Sequence, residues 1–358
     1  MKKTHFKIFF WSSIILFGVS CATKKTPVAV KPEVKIQEPT PVVSNFDDNF
    51  DSEIQKKWVD SVYNALTFDE RIGQLFMVSA YSNKDSVHVK AIDKLIQENK
   101  VGGLIFFQGG PVRQAKLTNR FQSKAKVPLL IGIDAEWGLS MRLDSTYRYP
   151  FNMTLGAIQN KKLLEAIGVH MGEENKRIGV HFNFAPVLDI NTNPKNPIIG
   201  FRSFGENKEN VAESALALMK GYQSLGLLAT GKHFPGHGDT EIDSHHALPT
   251  ITFSKARLDS IEMYPYKKLF AEGLASVMVA HLNVPSLEPR ENIPSSVSHN
   301  IITDVLKNQL GFKGLIFTDA LNMKAAKNFR EPGDIDLEAF QAGNDILLCA
   351  ENVPVAAE

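Results

Sequence analysis

The amino-acid sequence predicts a (β/α)8 barrel, and three observations indicate this fold. Eight short apolar runs end in polar or turn residues, and all but the last precede a segment with helical periodicity. The runs are continuously apolar rather than alternating, as in strands that are buried on both faces. Polar residues follow the runs at their C-terminal ends, and a barrel gathers these ends on one face. A doubly wound open sheet is the alternative, in which the same residues would be spread along a line.

The predicted strands and helices alternate from about residue 46 onward. Residues 67–70 have the spacing of a capping box, which predicts the start of a helix. The predicted strands cover residues 75–80, 102–107, 128–135, 180–190, 227–233, 275–283, 314–319 and 345–349. The predicted helices cover residues 85–99, a segment ending near 125, and residues 161–178, 208–225, 254–273, 298–310 and 334–342.

The predicted barrel is incomplete after its last strand. Only residues 350–358 follow, which are too few for a helix that covers the strand. That side of the barrel would therefore expose apolar strand surface. We expect the barrel to be truncated before its eighth helix, and a longer protein to supply the missing residues.

The composition argues against several classes of partner. The chain has 358 residues, with 40 Lys and Arg against 39 Asp and Glu, so its formal charge is +1. That balance gives no long-range attraction to nucleic acid or to anionic membrane surfaces. The two cysteines, Cys21 and Cys349, indicate neither a disulfide framework nor a zinc cluster.

The N-terminus has the pattern of an export signal. A lysine-rich start precedes an apolar run over residues 8–19, which is too short to span a bilayer. Residues 18–21 (GVSC) resemble a bacterial lipoprotein signal, in which the cysteine, here Cys21, is lipidated and becomes the new N-terminus. A simple signal peptide with an incidental cysteine is the alternative.

A proline-rich segment follows the signal over residues 22–45. It contains four prolines and has no helical or strand period, which predicts an extended tether. With residues 1–21 as the signal peptide, residues 46–358 form the folded domain. We expect a protein that is exported and held at a bacterial membrane by a lipid anchor, on the periplasmic or the cell-surface side.

Residues 232–249 (KHFPGHGDTEIDSHHALP) have the composition of a catalytic loop. They hold four histidines and three acidic residues, a polar density that a buried segment tolerates only when it serves a site. Asp243 lies two residues before His245, and an acid beside a histidine can orient the ring and stabilise its cation. Taken alone, the Asp-x-His pattern is a weak indication.

A second candidate group consists of polar residues that end the apolar runs. Asp319 closes the run LIFTD, where a charged group destabilises the fold unless it has a partner or a function. Capping of the next helix is the alternative role for Asp319. The strand-end residues are Asp134, Asp189, Lys232, His233, His281, Asn283 and Asp319.

Taken together, these motifs resemble family 3 glycoside hydrolases, and within them the bacterial β-N-acetylhexosaminidases linked to cell-wall recycling. The resemblance covers residue 66 to about residue 350 and includes the loop at residues 232–249. The other matching segments are LTFDERIGQLFMV, IGIDAEWG, NFAPVLDI, RSFGEN and LGFKGLIFTDALNM.

The resemblance implies a retaining, exo-acting glycosidase that releases terminal β-N-acetylglucosamine from peptidoglycan-derived or related glycans. Asp319 would be the nucleophile, His245 the general acid/base and Asp243 its partner. No cofactor and no metal are implied, and the partner is a carbohydrate substrate rather than nucleic acid. Residues matching those that hold the sugar in subsite −1 are Asp134, Arg142, Arg202, Lys232 and His233.

The expected contacts with the sugar follow from the donor and acceptor groups of these residues. Asp134 would accept from hydroxyls, the arginines and Lys232 would donate, and His233 would donate to a hydroxyl. The resemblance assigns no role to His237 or His246. Two positions depart from the family pattern: Trp137 stands where a glycine is frequent, and Ala320 where an aspartate is common.

Three other functions are compatible with parts of the pattern. A metal-dependent hydrolase could use the histidines and aspartates of residues 232–249, although their spacing differs from known hydrolase metal motifs. A non-catalytic sugar-binding module would lack Asp319, Asp243 or His245, and all three are present. A β-glucosidase of the same family would share fold and reaction, but the His-Asp loop is typical of the hexosaminidase branch.

Overall fold

The computed structural model describes residues 53–358. The predicted signal peptide with Cys21, the tether at residues 22–45 and the start of the domain at residue 46 lie outside the described residues. Among residues 53–358, no helix has the length and hydrophobicity that crossing a membrane requires.

Eight strands in the described part form one parallel sheet, with the order β7-β6-β5-β4-β3-β2-β1-β8. They are β1 (Phe76–Tyr81), β2 (Gly103–Gln108), β3 (Leu130–Ile133), β4 (Phe182–Asn183), β5 (Leu228–Phe234), β6 (Ser276–Val279), β7 (Leu315–Thr318) and β8 (Leu347–Leu348). A bridge between Phe317 in β7 and Ile346, the residue before β8, brings the two ends of the sheet together, and the Thr318 N–H donates to the Ile346 carbonyl at 3.1 Å. The eight strands therefore form a nearly closed (β/α)8 barrel, as predicted, and not an open sheet.

The helices lie between the strands in sequence, except that two precede β1 and one follows β8. They are α1 (Glu53–Asn64), α2 (Phe68–Gly73), α3 (Ser86–Glu98), α4 (Pro111–Gln122), α5 (Asn152–Gly156), α6 (Lys161–Arg177), α7 (Lys208–Ser224), α8 (Lys255–Ser260), α9 (Tyr264–Phe270), a helix with π-type hydrogen bonds (Asn300–Gln309), α10 (Lys324–Lys327), α11 (Asp334–Ala342) and α12 (Val353–Ala357). Single 3-10 turns lie at Leu139–Met141, Gly200–Arg202 and Ser295–Val297.

The predicted capping box is confirmed at the start of α2. The Glu70 N–H donates to the Thr67 hydroxyl at 3.2 Å, and the Thr67 N–H donates to the Glu70 carboxylate at 3.0 Å. These two contacts satisfy N–H groups that the first helical turn leaves without partners.

Apolar side chains fill the inside of the barrel, so its centre is a packed core rather than a pore. Phe317 packs edge-on against Phe182 and Phe184, with ring centroids 5.2 Å apart in both pairs. A second, larger cluster lies between the strands and the helices. The interior cluster consists of Met77, Ile105, Phe182, Phe184, Met278, Phe317, Leu348 and Cys349.

Two predicted elements differ most from the structure in their bounds. The fourth strand forms a ladder only at Phe182–Asn183, because the chain beyond it contains Pro186, which has no N–H to donate. The single helix predicted at residues 254–273 is two helices, α8 and α9. Pro265 lies in the first turn of α9, where its missing N–H is tolerated, and it could not continue α8.

The side of the barrel next to β8 differs from the prediction. The five-residue helix α12 follows β8, and the strand residues Phe76 and Leu347 are buried rather than exposed. The exposed apolar groups belong to helices, and they line a cleft of about 820 Å³. They include Trp58, Phe68, Leu337, Phe340 and Val355.

Candidate active site

A cavity of about 400 Å³ lies at the C-terminal ends of the barrel strands, the face that carries active sites in this fold. Seven of the eight predicted site residues line it, and Asp243 holds one of these seven, His245, through its ring. The residues predicted from separate parts of the sequence therefore meet in one place. The seven that line it are Asp134, Arg142, Arg202, Lys232, His233, His245 and Asp319.

Asp134 follows β3 and is held by two cations. Its Oδ1 accepts from Lys232 Nζ at 2.7 Å, and its Oδ2 accepts from Arg142 Nη2 at 2.5 Å. Burial alone would raise the pKa of Asp134, but the charges of Lys232 and Arg142 outweigh it and hold that pKa well below the ordinary value. Asp134 is therefore a fixed carboxylate that can accept hydrogen bonds.

Glu136 is a member of the site that sequence reasoning missed. Its carboxylate accepts from Arg202 at 2.7 and 3.0 Å and lies 2.8 Å from Lys232 Nζ. Burial opposes its ionisation, but these two cations lower its pKa to about 2. Glu136 orients Arg202 and Lys232, which in turn face the cavity.

Asp189, at the end of the chain segment after β4, fixes the His233 ring. Asp189 Oδ2 lies 2.7 Å from His233 Nδ1, and the same carboxylate accepts the backbone N–H of His233 at 3.2 Å. Arg202 Nη2 lies 3.3 Å from His233 Nε2. Because arginine can only donate, Nε2 accepts and the ring proton lies on Nδ1. The expected hydrogen bond from His233 to a sugar hydroxyl therefore finds both ring nitrogens occupied by protein groups.

Asp319 directly follows β7, and one oxygen of its carboxylate is bonded to the backbone of the next residue. Its Oδ1 accepts the Ala320 N–H at 2.8 Å. Burial would raise the pKa of Asp319, but the electrostatic interactions with His233 and His281, together with this N–H, lower it below the ordinary value. Buried His281 also holds the Ala320 carbonyl, 3.0 Å from its Nε2, and so fixes the segment beside Asp319.

His245 and Asp243 form the predicted pair on the loop at residues 232–249. His245 Nδ1 lies 2.7 Å from Asp243 Oδ1, and this oxygen also accepts the His245 N–H at 2.9 Å. The histidine side chain is 55 % exposed and lines the cavity, whereas the Asp243 side chain is 21 % exposed. Nδ1 is engaged by the carboxylate, so Nε2 is the ring nitrogen available for proton transfer.

The glycines of this loop serve close packing. Gly236 has a φ of +139°, and a Cβ there would lie 2.8 Å from Glu262 Cβ. A Cβ on Gly238 would lie 1.8 Å from the Ile190 carbonyl oxygen. The start of the loop therefore packs closely against the chain after β4.

Trp137 contributes an aromatic wall to the cavity. Its ring is partly buried and packs edge-on against Phe151, with centroids 4.9 Å apart. Phe201 extends this group, 6.1 Å from Trp137, and is 52 % exposed. The position at which the chain departs from the family pattern is therefore in contact with the cavity.

The histidines and acids of the loop do not form a metal cluster in the described part of the chain. Among residues 53–358, no group of three or more His, Cys, Asp or Glu side chains is arranged to hold a metal ion. His246 is exposed, and its backbone N–H bonds the Asp243 carbonyl. The metal-ligand interpretation has no geometric support within these residues.

Comparison with known proteins gives one family for nearly all of the described chain. The sequence profile described as "Glycosyl hydrolase family 3 N terminal domain" matches residues 67–357. The "Beta-hexosaminidase A" of Pseudoalteromonas piscicida is 33% identical over 319 residues, which are 79% of this chain and 53% of that protein.

Solved structures give the same picture. A glycoside hydrolase family 3 beta-N-acetylglucosaminidase from Paenibacillus sp. str. FPU-7 is 39% identical with a TM-score of 0.76, covering 82% of this chain and 57% of that chain. The structure described as "Beta-glucoside phosphorylase BglX bound to 2FGlc" is 26% identical with a TM-score of 0.81, covering 86% and 56%. The chain thus spans little more than half the length of these relatives.

Proposed function

The chain belongs to glycosyl hydrolase family 3, and from that premise we propose that it is a retaining exo-β-N-acetylhexosaminidase. Its substrate is the terminal, non-reducing β-N-acetylglucosamine of peptidoglycan-derived or related glycans. The observation that carries the proposal is the presence of Asp319 and the His245–Asp243 pair on one cavity.

Asp319 is the nucleophile of the proposed reaction. Its lowered pKa keeps the carboxylate ionised, and its Oδ1 is held by the Ala320 N–H. The carboxylate attacks the anomeric carbon and forms a covalent glycosyl-enzyme as the bond to the leaving group breaks. Water then displaces Asp319 from the same carbon, so two inversions give net retention.

His245 supplies and removes the proton in the two steps. In the first step, its Nε2–H protonates the leaving oxygen, and in the second, the same nitrogen takes a proton from the attacking water. The carboxylates of Asp134 and Glu136 cannot serve as the acid, because their cationic partners hold their pKa values far below neutral pH. Asp243 stabilises the positive ring that forms during the second step.

The remaining cavity residues bind the sugar. Asp134 keeps acceptor capacity beyond its two cation contacts, so it can accept from sugar hydroxyls. Arg142, Arg202 and Lys232 donate to hydroxyls and to the acetamido oxygen. His233 lines the same cavity. Its Nε2 can bond a sugar hydroxyl only if the substrate moves Arg202 away from it.

The place of action is part of the proposal. The signal over residues 1–21 and the tether over residues 22–45 support export and lipidation of Cys21. The enzyme would then meet glycan fragments at a bacterial membrane, on its periplasmic or outer side.

Activity toward β-glucosides is the second candidate. It is supported by the likeness to the beta-glucoside phosphorylase, which shares the fold at a TM-score of 0.81. The two candidates differ at the sugar C2 position, where an acetamido group replaces a hydroxyl.

The test is hydrolysis of 4-nitrophenyl β-N-acetylglucosaminide and 4-nitrophenyl β-glucoside by the full chain, with Asp319→Ala as the control variant. The proposal expects strong preference for the N-acetyl sugar and loss of activity in the variant. Preference for the glucoside would favour the second candidate. Activity that survives Asp319→Ala would contradict both.

A further inference from the structure

His237 is a buried histidine that neither catalytic step uses. Its side chain is almost completely enclosed, with a residue exposure of 2%. Nδ1 lies 2.7 Å from the Thr240 hydroxyl, and Nε2 lies 3.1 Å from the Ser244 hydroxyl. Both ring nitrogens are therefore bonded to the loop that carries the acid/base pair.

Ser244 attaches the part of this loop that carries the acid/base pair to the domain. It is the one buried residue between Glu241 and Ala247, and it lies between Asp243 and His245. Its hydroxyl meets the His237 ring, and its carbonyl accepts the Ala325 N–H at 3.3 Å. The position of the acid/base pair is therefore set through its middle residue.

The surrounding donors assign the proton on the His237 ring. The Thr240 hydroxyl donates to the His237 carbonyl at 3.2 Å, and Asn196 Nδ2 donates to the Thr240 oxygen at 3.3 Å. Thr240 can then only accept from His237, which places the ring proton on Nδ1. Nε2 is left as an acceptor for the Ser244 hydroxyl. Burial lowers the pKa of His237 to about 4, which keeps this neutral form at physiological pH.

The backbone of His237 is anchored to the floor of the site. Its N–H donates to Asp189 Oδ1 at 2.7 Å, and Asp189 is the carboxylate that fixes the His233 ring. Its carbonyl accepts from Asn196 Nδ2 at 2.8 Å. These bonds connect Asp189, which holds the His233 ring, to the loop that carries the acid/base pair. None of them involves Asp319.

We propose that His237 is a positioning residue for the acid/base pair, holding Ser244 so that His245 reaches the leaving-group oxygen. The inference rests on the proposed function of the site. His237 would support proton transfer but not the nucleophile, because its ring bonds Thr240 and Ser244 and makes no hydrogen bond to Asp319. Loss of the ring should weaken proton transfer and leave nucleophilic attack intact.

The experiment compares two aryl β-N-acetylglucosaminides that differ in their need for an acid. Phenol is a poor leaving group that must be protonated, whereas 2,4-dinitrophenol leaves without protonation. The variants are His237→Asn, which cannot reach Ser244, and Ser244→Ala, which removes only the hydroxyl. The control is His246→Asn, an exposed histidine of the same loop. Thermal unfolding of each variant verifies that it is folded.

The value of kcat/KM reports the first chemical step for both substrates. We expect it to fall about tenfold or more for the phenyl substrate in both variants, a part of the ~10²–10⁴-fold that general acid catalysis supplies. It should change less than about twofold for the dinitrophenyl substrate, and the control should match the wild type. For the phenyl substrate, kcat/KM of the double variant should be no lower than that of the less active single variant, because both substitutions remove the same hydrogen bond.

Two results would overturn the inference in different ways. Equal losses on both substrates, with an active wild type, would mean that His237 only supports the fold of the site. A wild type that is inactive on both substrates would overturn the proposed function, and the inference with it.

Discussion

Nδ1 of His245 lies 2.7 Å from Oδ1 of Asp243, and the N–H of His245 donates to the same oxygen at 2.9 Å. One carboxylate oxygen therefore fixes both the backbone and the ring of His245, the residue that we propose transfers the proton. In the proposed mechanism, this arrangement takes the place of the second carboxylic acid that most retaining glycosidases use.

Replacing Asp243 with asparagine should slow the reaction. The amide cannot stabilise the ring cation, so we expect kcat/KM to fall by ~10²-fold, within the range for acid/base groups. Glu241→Gln, an exposed acid on the same loop, should leave kcat/KM unchanged. An Asp243→Asn variant as active as the wild type would contradict the pairing.

The Glu136 carboxylate should stabilise the fold as well as the site. Glu136→Gln leaves Arg202 and Lys232 with less charge to pair with, so we expect the free energy of unfolding to fall by about 3 kcal/mol at pH 7. Urea unfolding followed by tryptophan fluorescence measures this change. A variant as stable as the wild type would show that the cations find other partners.

The same residue predicts a pH dependence of stability. The pKa of Glu136 is about 2 in the folded chain and about 4.3 in an unfolded one. The Glu136 carboxylate therefore makes its full contribution to the free energy of unfolding when the pH is above its pKa in the unfolded chain. This contribution is lost as the pH falls toward its pKa in the folded chain. The stability difference between wild type and Glu136→Gln should shrink between about pH 5 and pH 2. A difference that does not change with pH would contradict the shift.

Trp137 should contribute to binding through its exposed face. Trp137→Ala should lower kcat/KM for a β-1,4-linked N-acetylglucosamine dimer by ~3- to 10-fold, the effect of one lost aromatic contact. Trp58→Ala, on α1 and outside the cavity, is the matched control. If kcat/KM rises instead, Trp137 narrows the cavity rather than stacking on a sugar.

Cys21 should decide where the protein resides in the cell. Cys21→Ser removes the only residue that the lipoprotein pattern at residues 18–21 can modify. We expect the wild type in the membrane fraction with a lipid mass on its N-terminal peptide, and the variant in the soluble fraction. The same membrane fraction for both proteins would mean that another feature retains them.

The site residues that can be predicted from the sequence are those that differ in polarity from their neighbours in the chain, or that lie in an unusually polar loop. Asp134 and Asp319 close apolar runs, and His245 lies in a loop too polar for the core, so each stands out without a structure. The barrel follows from the same runs, because buried parallel strands are apolar along their whole length.

The features of the site and fold that the sequence does not reveal depend on contacts between residues far apart in the chain. Glu136 is recognised by its bond to Arg202, 66 residues further along the chain, and the motif at residues 134–138 was the only local signal for it. The role of His237 depends on how the loop folds back to bring Ser244 onto its ring. Periodicity extended the fourth strand across Pro186, since an apolar run does not reveal where its ladder ends.

If Asp319 forms a covalent bond with the sugar, a slowly reacting substrate should trap the glycosyl-enzyme intermediate. The full chain is incubated with a 5-fluoro β-N-acetylglucosaminyl fluoride, whose fluorine slows both steps while the fluoride leaving group keeps the first step fast. Intact mass and peptide mapping then locate the label. We expect one added sugar on the peptide that contains Asp319, and none in the Asp319→Ala variant. A label on another residue, or turnover with an inverted product and no label, would contradict it.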